Sequence, residues 1–242
     1  MPFDDHVFRH TPALRGKVTP PSISEMRFGL ERFDEFEEQA IAEGWPADWR
    51  MDHDEREANR QEILFGRMDQ DLWVFGYGSL IWDPAVEVVE YRYGSLPGWR
   101  RSFCMWLEGG RGSPQQPGLM AALDSGGHCD GVVLRIPAEI VDRETGFMWR
   151  REMFSGTYCP EFRQISTPQG PVDALVFLMN CNNRRYAPDL SEEQAARMIA
   201  LAEGRLGPNF EYLDSMVRHL DELGIEDADM RRLHARAKAL RG

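Results

Sequence analysis

The chain has 242 residues, of which 40 are acidic and 28 basic, giving a formal net charge of −12. That length suits one domain of ordinary size with an appended segment better than two full domains, and the negative balance argues against a nucleic-acid surface and against binding to anionic lipid. No apolar run reaches the roughly 18 residues of a membrane-spanning helix, and the opening MPFDDHVFRHTP lacks the basic-then-apolar order of a secretory leader.

In chain order, residues 1 to about 22 end in KVTPPS and read as an extended arm. From Ser24 to about Glu43, and again from about Asp52 to Met68, acidic residues alternate with Met, Leu, Phe and Ile at helical spacing, which predicts two surface helices. After Asp71 the texture changes to short apolar, β-branched runs bounded by Gly and Pro: Leu72 to Phe75, Val86 to Tyr91, Arg101 to Leu107, Leu119 to Leu123, Gly131 to Ile136 and Ala174 to Met179. That recurrence predicts a strand-rich core, closed or nearly closed, interrupted by a helix around Ala138 to Phe154. The last third turns helical. Ser191 with Gln194 forms a capping box, Asn209 is placed to cap FEYLDSMVRHLDELG, and a final helix runs from about Asp229 to Leu240.

Cys104, Cys129, Cys159 and Cys181 form no C-x-x-C pair, and the six histidines show no ligand spacing. Reduced, mostly buried thiols in a cytoplasm are expected, with neither a disulfide framework nor a metal site.

The stretch WVFGYGSLIWDP, Trp73 to Pro84, begins as a buried strand and breaks into a glycine loop. Gly76 and Gly78 supply the first two glycines of a dinucleotide fingerprint, but Ile81 stands where the third belongs, and Trp82-Asp83-Pro84 interrupts the helix that should follow. The nucleophile-elbow pattern fails as well, because Ser79 follows Gly78 directly. What remains is either a tight turn or a loop whose glycines take positive φ and present N–H groups to an anion, flanked by Tyr77 and Ser79. A second stretch, FMWRREMFSGTY, sets Arg150-Arg151-Glu152 between apolar residues. It is either an ordinary helix with solvated charges or one that holds a carboxylate in apolar surroundings, where a raised pKa suits it to general base and acid work. Glu144, flanked by polar neighbours in DRET, has the weaker claim. The loop GGRGSPQQPG, Gly109 to Gly118, offers Arg111 to a ligand carboxylate or to one of the many acidic side chains.

Taken in order, the blocks WVFGYGSLIWDPA, GSLPGWRRSFC, RGSPQQPG, GVVLRIP, MWRREMFSGTY and GRLGPNFEYL resemble the ChaC family of glutathione-specific γ-glutamylcyclotransferases, over about residues 72 to 240. The resemblance implies an α+β fold, a small mixed β-barrel surrounded by helices. It also implies a catalytic domain over 71–242, with 1–70 as an N-terminal arm and helical extension. It implies a lyase that cleaves glutathione to 5-oxoproline and cysteinylglycine without a cofactor or metal, in the cytoplasm. The family's substrate loop falls on Val74, Phe75, Gly76, Tyr77, Gly78 and Ser79, with Leu80 adjoining. Its catalytic glutamate falls on Glu152, six residues before Tyr158, and Arg111 and Tyr158 complete the expected site. One departure is Leu119, where many relatives carry a basic residue. The alternatives are a cyclotransferase for other γ-glutamyl amino acids or amines, and a catalytically silent anion-binding protein. The oligomeric state is left unassigned.

Overall fold

The structure, a computed structural model, describes residues 3–30, 33–35, 38 and 50–242. They fall into two compact units, Met1–Ser95 with Val132–Leu178, and Leu96–Gly131 with Met179–Gly242.

A mixed sheet is formed by β1 (Leu72–Gly76), β2 (Glu90–Leu107), β3 (Gly118–Ile136), β4 (Tyr158–Ile165) and β5 (Val172–Met179), in the order β2-β3-β1-β5-β4; the first unit holds β1 and β4, β5 up to Leu178, β2 up to Ser95 and β3 from Val132. At its centre β1 runs antiparallel to β3, with Leu72 opposite Ile136 and Gly76 opposite Val132, and parallel to β5, with Trp73 opposite Ala174. A central strand covered on both faces needs no polar alternation, and every residue of β1 except Trp73 is buried. Burying Val74 and Phe75 contributes about 1.5–3 kcal/mol each. The Trp73 ring instead takes the guanidinium of Arg92 over its face, 4.4 Å from its centroid.

The two edge strands meet. Ser95 and Ser166 form an antiparallel bridge, exchanging N–H···O bonds of 2.9 and 3.0 Å, so the sheet curls until its edges touch and leaves less unpaired backbone exposed. Gly94 lies beside this closure. A Cβ there would sit 2.8 Å from Cγ2 of the buried Ile165, so only glycine permits the approach.

Several expectations are corrected. The N-terminal arm is not extended: it makes two 3-10 turns, Asp5–Phe8 and Pro12–Leu14, and buries Val7, Phe8 and Leu14. Phe8 stacks on Tyr91 with ring centroids 5.4 Å apart. The helix expected from Ser24 lies largely outside the described residues, and Ser24 to Gly29 is non-helical. The run Val86 to Val89 is irregular, with strand starting only at Glu90. The runs expected at 101–107, 119–123 and 131–136 are pieces of the long strands β2 and β3, and β4 was not expected at all.

Helix α1 (His53–Ile63), opened by Asp52 as N-cap, is tied to α2 (Val141–Glu152). Arg60 donates to Thr145 Oγ1 at 2.8 Å and to Asp142 Oδ1 at 2.9 Å, and Trp149 Nε1 donates to Asn59 Oδ1 at 3.0 Å. The start of α2 is pinned by Glu144, whose side chain is 0% exposed. Its carboxylate accepts both arms of the Arg27 fork at 2.6 and 2.9 Å, the Glu87 N–H at 2.8 Å and Arg143 Nε at 2.7 Å. Burial alone would push this carboxyl up, but these donors outweigh it and hold the group below the usual carboxylate range.

In the second unit, Ser191 and Gln194 form the expected capping box on α3 (Glu192–Leu201). A short hairpin, β6 (Glu203–Gly204) and β7 (Gly207–Pro208), leads to α4 (Asn209–Glu222) and α5 (Ala228–Ala239). Asn209 is not the cap of α4, since Pro208 holds that position. Its fully buried amide clamps β3 instead, accepting from the Leu119 N–H and donating to the Leu119 carbonyl, both at 2.8 Å. Among the four free thiols Cys104 and Cys129 are buried, whereas Cys181 is exposed, against the expectation of mostly buried thiols.

Two outcomes follow from these contacts. Gly94→Ala should cost about 1–3 kcal/mol, as overpacking does, read as an earlier urea midpoint. Glu144→Gln should cost about 3 kcal/mol, because Arg27 is left partly buried without its counter-charge. Since the folded-state pKa of Glu144 is depressed, this stabilisation is present above the unfolded pKa and is lost as pH falls through the folded one. Urea titrations at neutral and acid pH should therefore show wild type and variant converging in acid.

Candidate functional site

The candidate residues of the first unit come from three places: the end of β1, the end of α2 and the start of β4. Beyond Gly76 the chain turns into a 3-10 turn, Ser79–Ile81. It is closed by Ile81 N–H to the Gly78 carbonyl at 2.9 Å and Asp83 N–H to the Ser79 carbonyl at 2.8 Å. Among the described residues, the N–H groups of Gly78, Ser79 and Leu80 have no protein acceptor, the usual condition of donors at the opening of a helical turn.

The glycines serve a different purpose from the one expected. Gly78 has φ −131°, and Gly76 is not in the left-handed region either. At Gly76 the requirement is close approach. A Cβ would lie 3.3 Å from Leu80 Cβ and 3.4 Å from Val132 Cγ2, so the loop folds tightly back over the strand end.

Tyr77 is buried, donating its hydroxyl to the Phe177 carbonyl at 3.2 Å and stacking on Phe75 with centroids 6.4 Å apart. Tyr158 is also buried and sets its ring edge-on to Phe177 at 6.2 Å. Phe177 of β5 thus supports an aromatic from the loop and one from β4.

At the C-terminal end of α2, Arg151 and Glu152 turn inward. Their side chains are 4% and 13% exposed, and Arg151 Nε lies 2.9 Å from Glu152 Oε1. Arg151 Nη2 also donates to Ser79 Oγ at 2.8 Å, so one guanidinium joins the glutamate to the loop. Burial pushes the Glu152 carboxyl above its ordinary range, and the Arg151 charge pulls it back only in part. Arg150 faces elsewhere: its Nε donates to the Phe28 carbonyl at 2.7 Å, and its guanidinium lies 4.7 Å from the Phe147 ring centroid.

Glu144 does not offer a free base. Its weak claim stands, but for a different reason from the polar neighbours: the residue is buried, and Arg27, Arg143 and the Glu87 N–H occupy its carboxylate.

Arg111 belongs to the second unit, where it donates to the Pro208 carbonyl at 3.0 Å and lies 3.4 Å from the Glu211 carboxylate. The bland reading of Arg111, a salt bridge to an acidic side chain, is therefore realised. Leu119, the noted departure, is fully buried and held by the Asn209 clamp, so its side chain is part of the core.

Sequence reasoning left Arg151 out of the expected site, although it noted the residue between the apolar flanks of FMWRREMFSGTY. The available signal was its place beside Glu152 in an otherwise apolar segment.

With this geometry established, comparison with known proteins is specific. A family model described as ChaC-like protein matches residues 72–240. The glutathione-specific γ-glutamylcyclotransferase of Escherichia coli (strain K12) is 40% identical over 189 residues, covering 77% of this chain and 82% of that one. Glutathione-specific γ-glutamylcyclotransferase 1 of Homo sapiens is 33% identical over 68% of this chain and 78% of its own. A crystal structure of the glutathione-specific γ-glutamylcyclotransferase from yeast superposes with a TM-score of 0.66 at 20% identity, covering 71% of this chain and 97% of that one, and at that identity the likeness speaks to fold. The fold is accordingly the α+β γ-glutamylcyclotransferase-like fold, and the chain belongs to the ChaC-like family.

Proposed function

We propose that this protein is a glutathione-specific γ-glutamylcyclotransferase, a lyase that converts glutathione to 5-oxoproline and cysteinylglycine, with Glu152 as general base and then acid. The observation that carries the reading is a buried, partly protonation-biased glutamate joined through one side chain to a glycine loop with free N–H groups. Family membership supports it, since the relatives named above carry that activity in their names.

The chemistry needs little from the protein beyond this. Glutathione brings its own nucleophile, the α-amine of its γ-glutamyl unit, placed to close a five-membered ring on the γ-carbonyl carbon. At neutral pH the amine is an ammonium, so Glu152 takes a proton from it and the freed lone pair attacks. The C–N bond to the α-nitrogen forms, the carbonyl electrons move to oxygen, and the N–H groups of Gly78, Ser79 and Leu80 with the Ser79 hydroxyl receive that developing charge. Collapse of the intermediate breaks the bond to the cysteinyl nitrogen, which takes the proton returned by Glu152; the regenerated carboxylate then removes the second proton from the ring nitrogen, giving the neutral lactam, and passes it to the departing amine, which leaves as an ammonium. Holding the substrate in its cyclising conformer supplies the proximity contribution, which can reach about 7–11 kcal/mol. Val74, Phe75, Gly76, Tyr77 and Tyr158 shape the site, and Ser79 binds without forming a covalent intermediate.

In this reading residues 71–242 are the catalytic domain, residues 1–70 are an N-terminal arm and helical extension, and the enzyme works in the cytoplasm. Arg111 acts on substrate only by leaving Glu211, which makes it the weakest member of the expected set.

Incubation of purified protein with glutathione, followed by mass spectrometry, should give 5-oxoproline and cysteinylglycine in equal amounts. Glu152→Gln should stay folded and lose about 10²–10⁴-fold in turnover. Because Glu152 must be ionised to accept the proton and its pKa is raised, kcat/KM of the wild type should fall in acid through a pKa above the ordinary carboxylate range. Near-normal turnover in Glu152→Gln would remove this residue from the mechanism, and glutathione binding without product would favour a silent binding protein. Ser79→Ala should lose only about 10- to 100-fold in kcat/KM, as loss of one hydrogen bond to a charged group does; complete loss with intact binding would instead indicate a covalent serine.

A further inference from the structure

Arg151 is buried more deeply than Glu152, and all three of its guanidinium nitrogens are engaged. Nε faces the Glu152 carboxylate, Nη2 donates to the Ser79 hydroxyl, and Nη1 donates to the Asp83 carbonyl. These partners belong to the end of α2, the opening of the 3-10 turn and the exit of the loop. A planar fork can hold three such directions at once, whereas an ammonium is a point charge with no fixed plane.

Two consequences follow. The Ser79 oxygen accepts from Arg151, so the serine proton points away from the guanidinium and is free to meet an acceptor on a ligand. The Glu152 carboxylate has a cation beside it whose position does not depend on Glu152, because the other two contacts anchor Arg151. The base therefore keeps its orientation when it becomes a neutral acid in mid-reaction.

The Asp83 carboxylate accepts from Ser24 Oγ at 2.6 Å. Among the described residues the Tyr91 hydroxyl from β2 is buried without a partner, and burial, then the Asp83 charge, push its phenol up so that it stays neutral, despite the opposing pull of Arg151. Tyr77 from the loop and Tyr158 from β4 are further phenols.

We propose that Arg151 is a positioning residue of the reaction, fixing the Ser79 hydroxyl as a hydrogen-bond donor and holding the Glu152 carboxylate in place as base through a single guanidinium. The proposal rests on the reading of Glu152 as the base.

The test compares wild type, Arg151→Gln and Arg151→Lys. Carbon-13 NMR of protein labelled at glutamate carboxyls, with Glu152→Gln assigning the signal, gives the titration midpoint of Glu152. Loss of the neighbouring charge should raise that midpoint by about one pH unit or more in Arg151→Gln, and the acid limb of kcat/KM should move with it. Arg151→Lys keeps the charge but not the fork, so its acid limb should stay near the wild-type position while turnover falls at every pH. In that background Ser79→Ala should cost little more, because the hydroxyl is already unoriented.

A folded Arg151→Gln whose midpoint and acid limb coincide with wild type overturns the proposal. So does a Ser79→Ala penalty as large in Arg151→Lys as in wild type, and that comparison decides if Arg151→Gln does not fold. Should the wild type make no 5-oxoproline, the reading of the reaction fails, while the NMR midpoints still decide the part played by Arg151.

Discussion

A single carboxylate with no exposure to water fixes the helix that carries the proposed base. Glu144 gathers the fork of Arg27, the Nε of Arg143 and the N–H of Glu87 around the first turns of α2. A charge buried so completely is tolerated only because every side of it is met by a donor. The same set of contacts ties the N-terminal segment, through Arg27, and the irregular run after the loop, through Glu87, to one point of the helix. Glu152 stands eight residues further along, a little over two turns, so its placement follows from that anchor together with the Arg60 and Trp149 contacts to α1.

The two glutamates show how environment divides labour between identical groups. Glu144 has four close donors and is pushed towards permanent ionisation, which makes it useful for structure and useless for moving protons. Glu152 has one cation and apolar surroundings, and burial wins over that cation, which leaves its proton affinity within reach of a reaction near neutral pH. The overall charge of −12 is less awkward for an anionic substrate than it first looks. Inside the site the charges of Arg151 and Glu152 oppose each other, and the Ser79 hydroxyl beside them keeps its proton for an acceptor. What the substrate meets at close range is set by those few groups, because charges more than a Debye length away are screened.

Much of this organisation could be read from the sequence, and the misses have identifiable physical causes. The run LWVFG is apolar because both of its faces are covered, so its strand and its burial were legible. The capping box at Ser191 and Gln194 is a local hydrogen-bond pattern, and it appeared as expected. In contrast, β4 carries Pro160, Glu161 and Arg163 and hides its strand character, because an edge strand tolerates proline and solvated charges. Asn209 fits a cap pattern equally well in isolation. Only the approach of β3, distant in sequence, turns its amide to Leu119. The burial of Glu144 was invisible for the same reason, since Arg27 and Glu87 lie 117 and 57 residues away in the chain.

The glycine loop shows most clearly what a motif does and does not specify. GYGSL suggested positive backbone angles, yet the requirement at Gly76 is absence of a side chain between Leu80 and Val132. That tight return leaves, among the described residues, three successive N–H groups without a protein acceptor and brings Ser79 within reach of Arg151. A turn built only for compactness would have no need of a buried guanidinium at its serine. A binding loop without such a partner would leave the hydroxyl free to rotate. The coincidence of the two, on the one guanidinium that also touches Glu152, makes the loop and the helix end a single device, and it explains why neither motif was decisive when read separately.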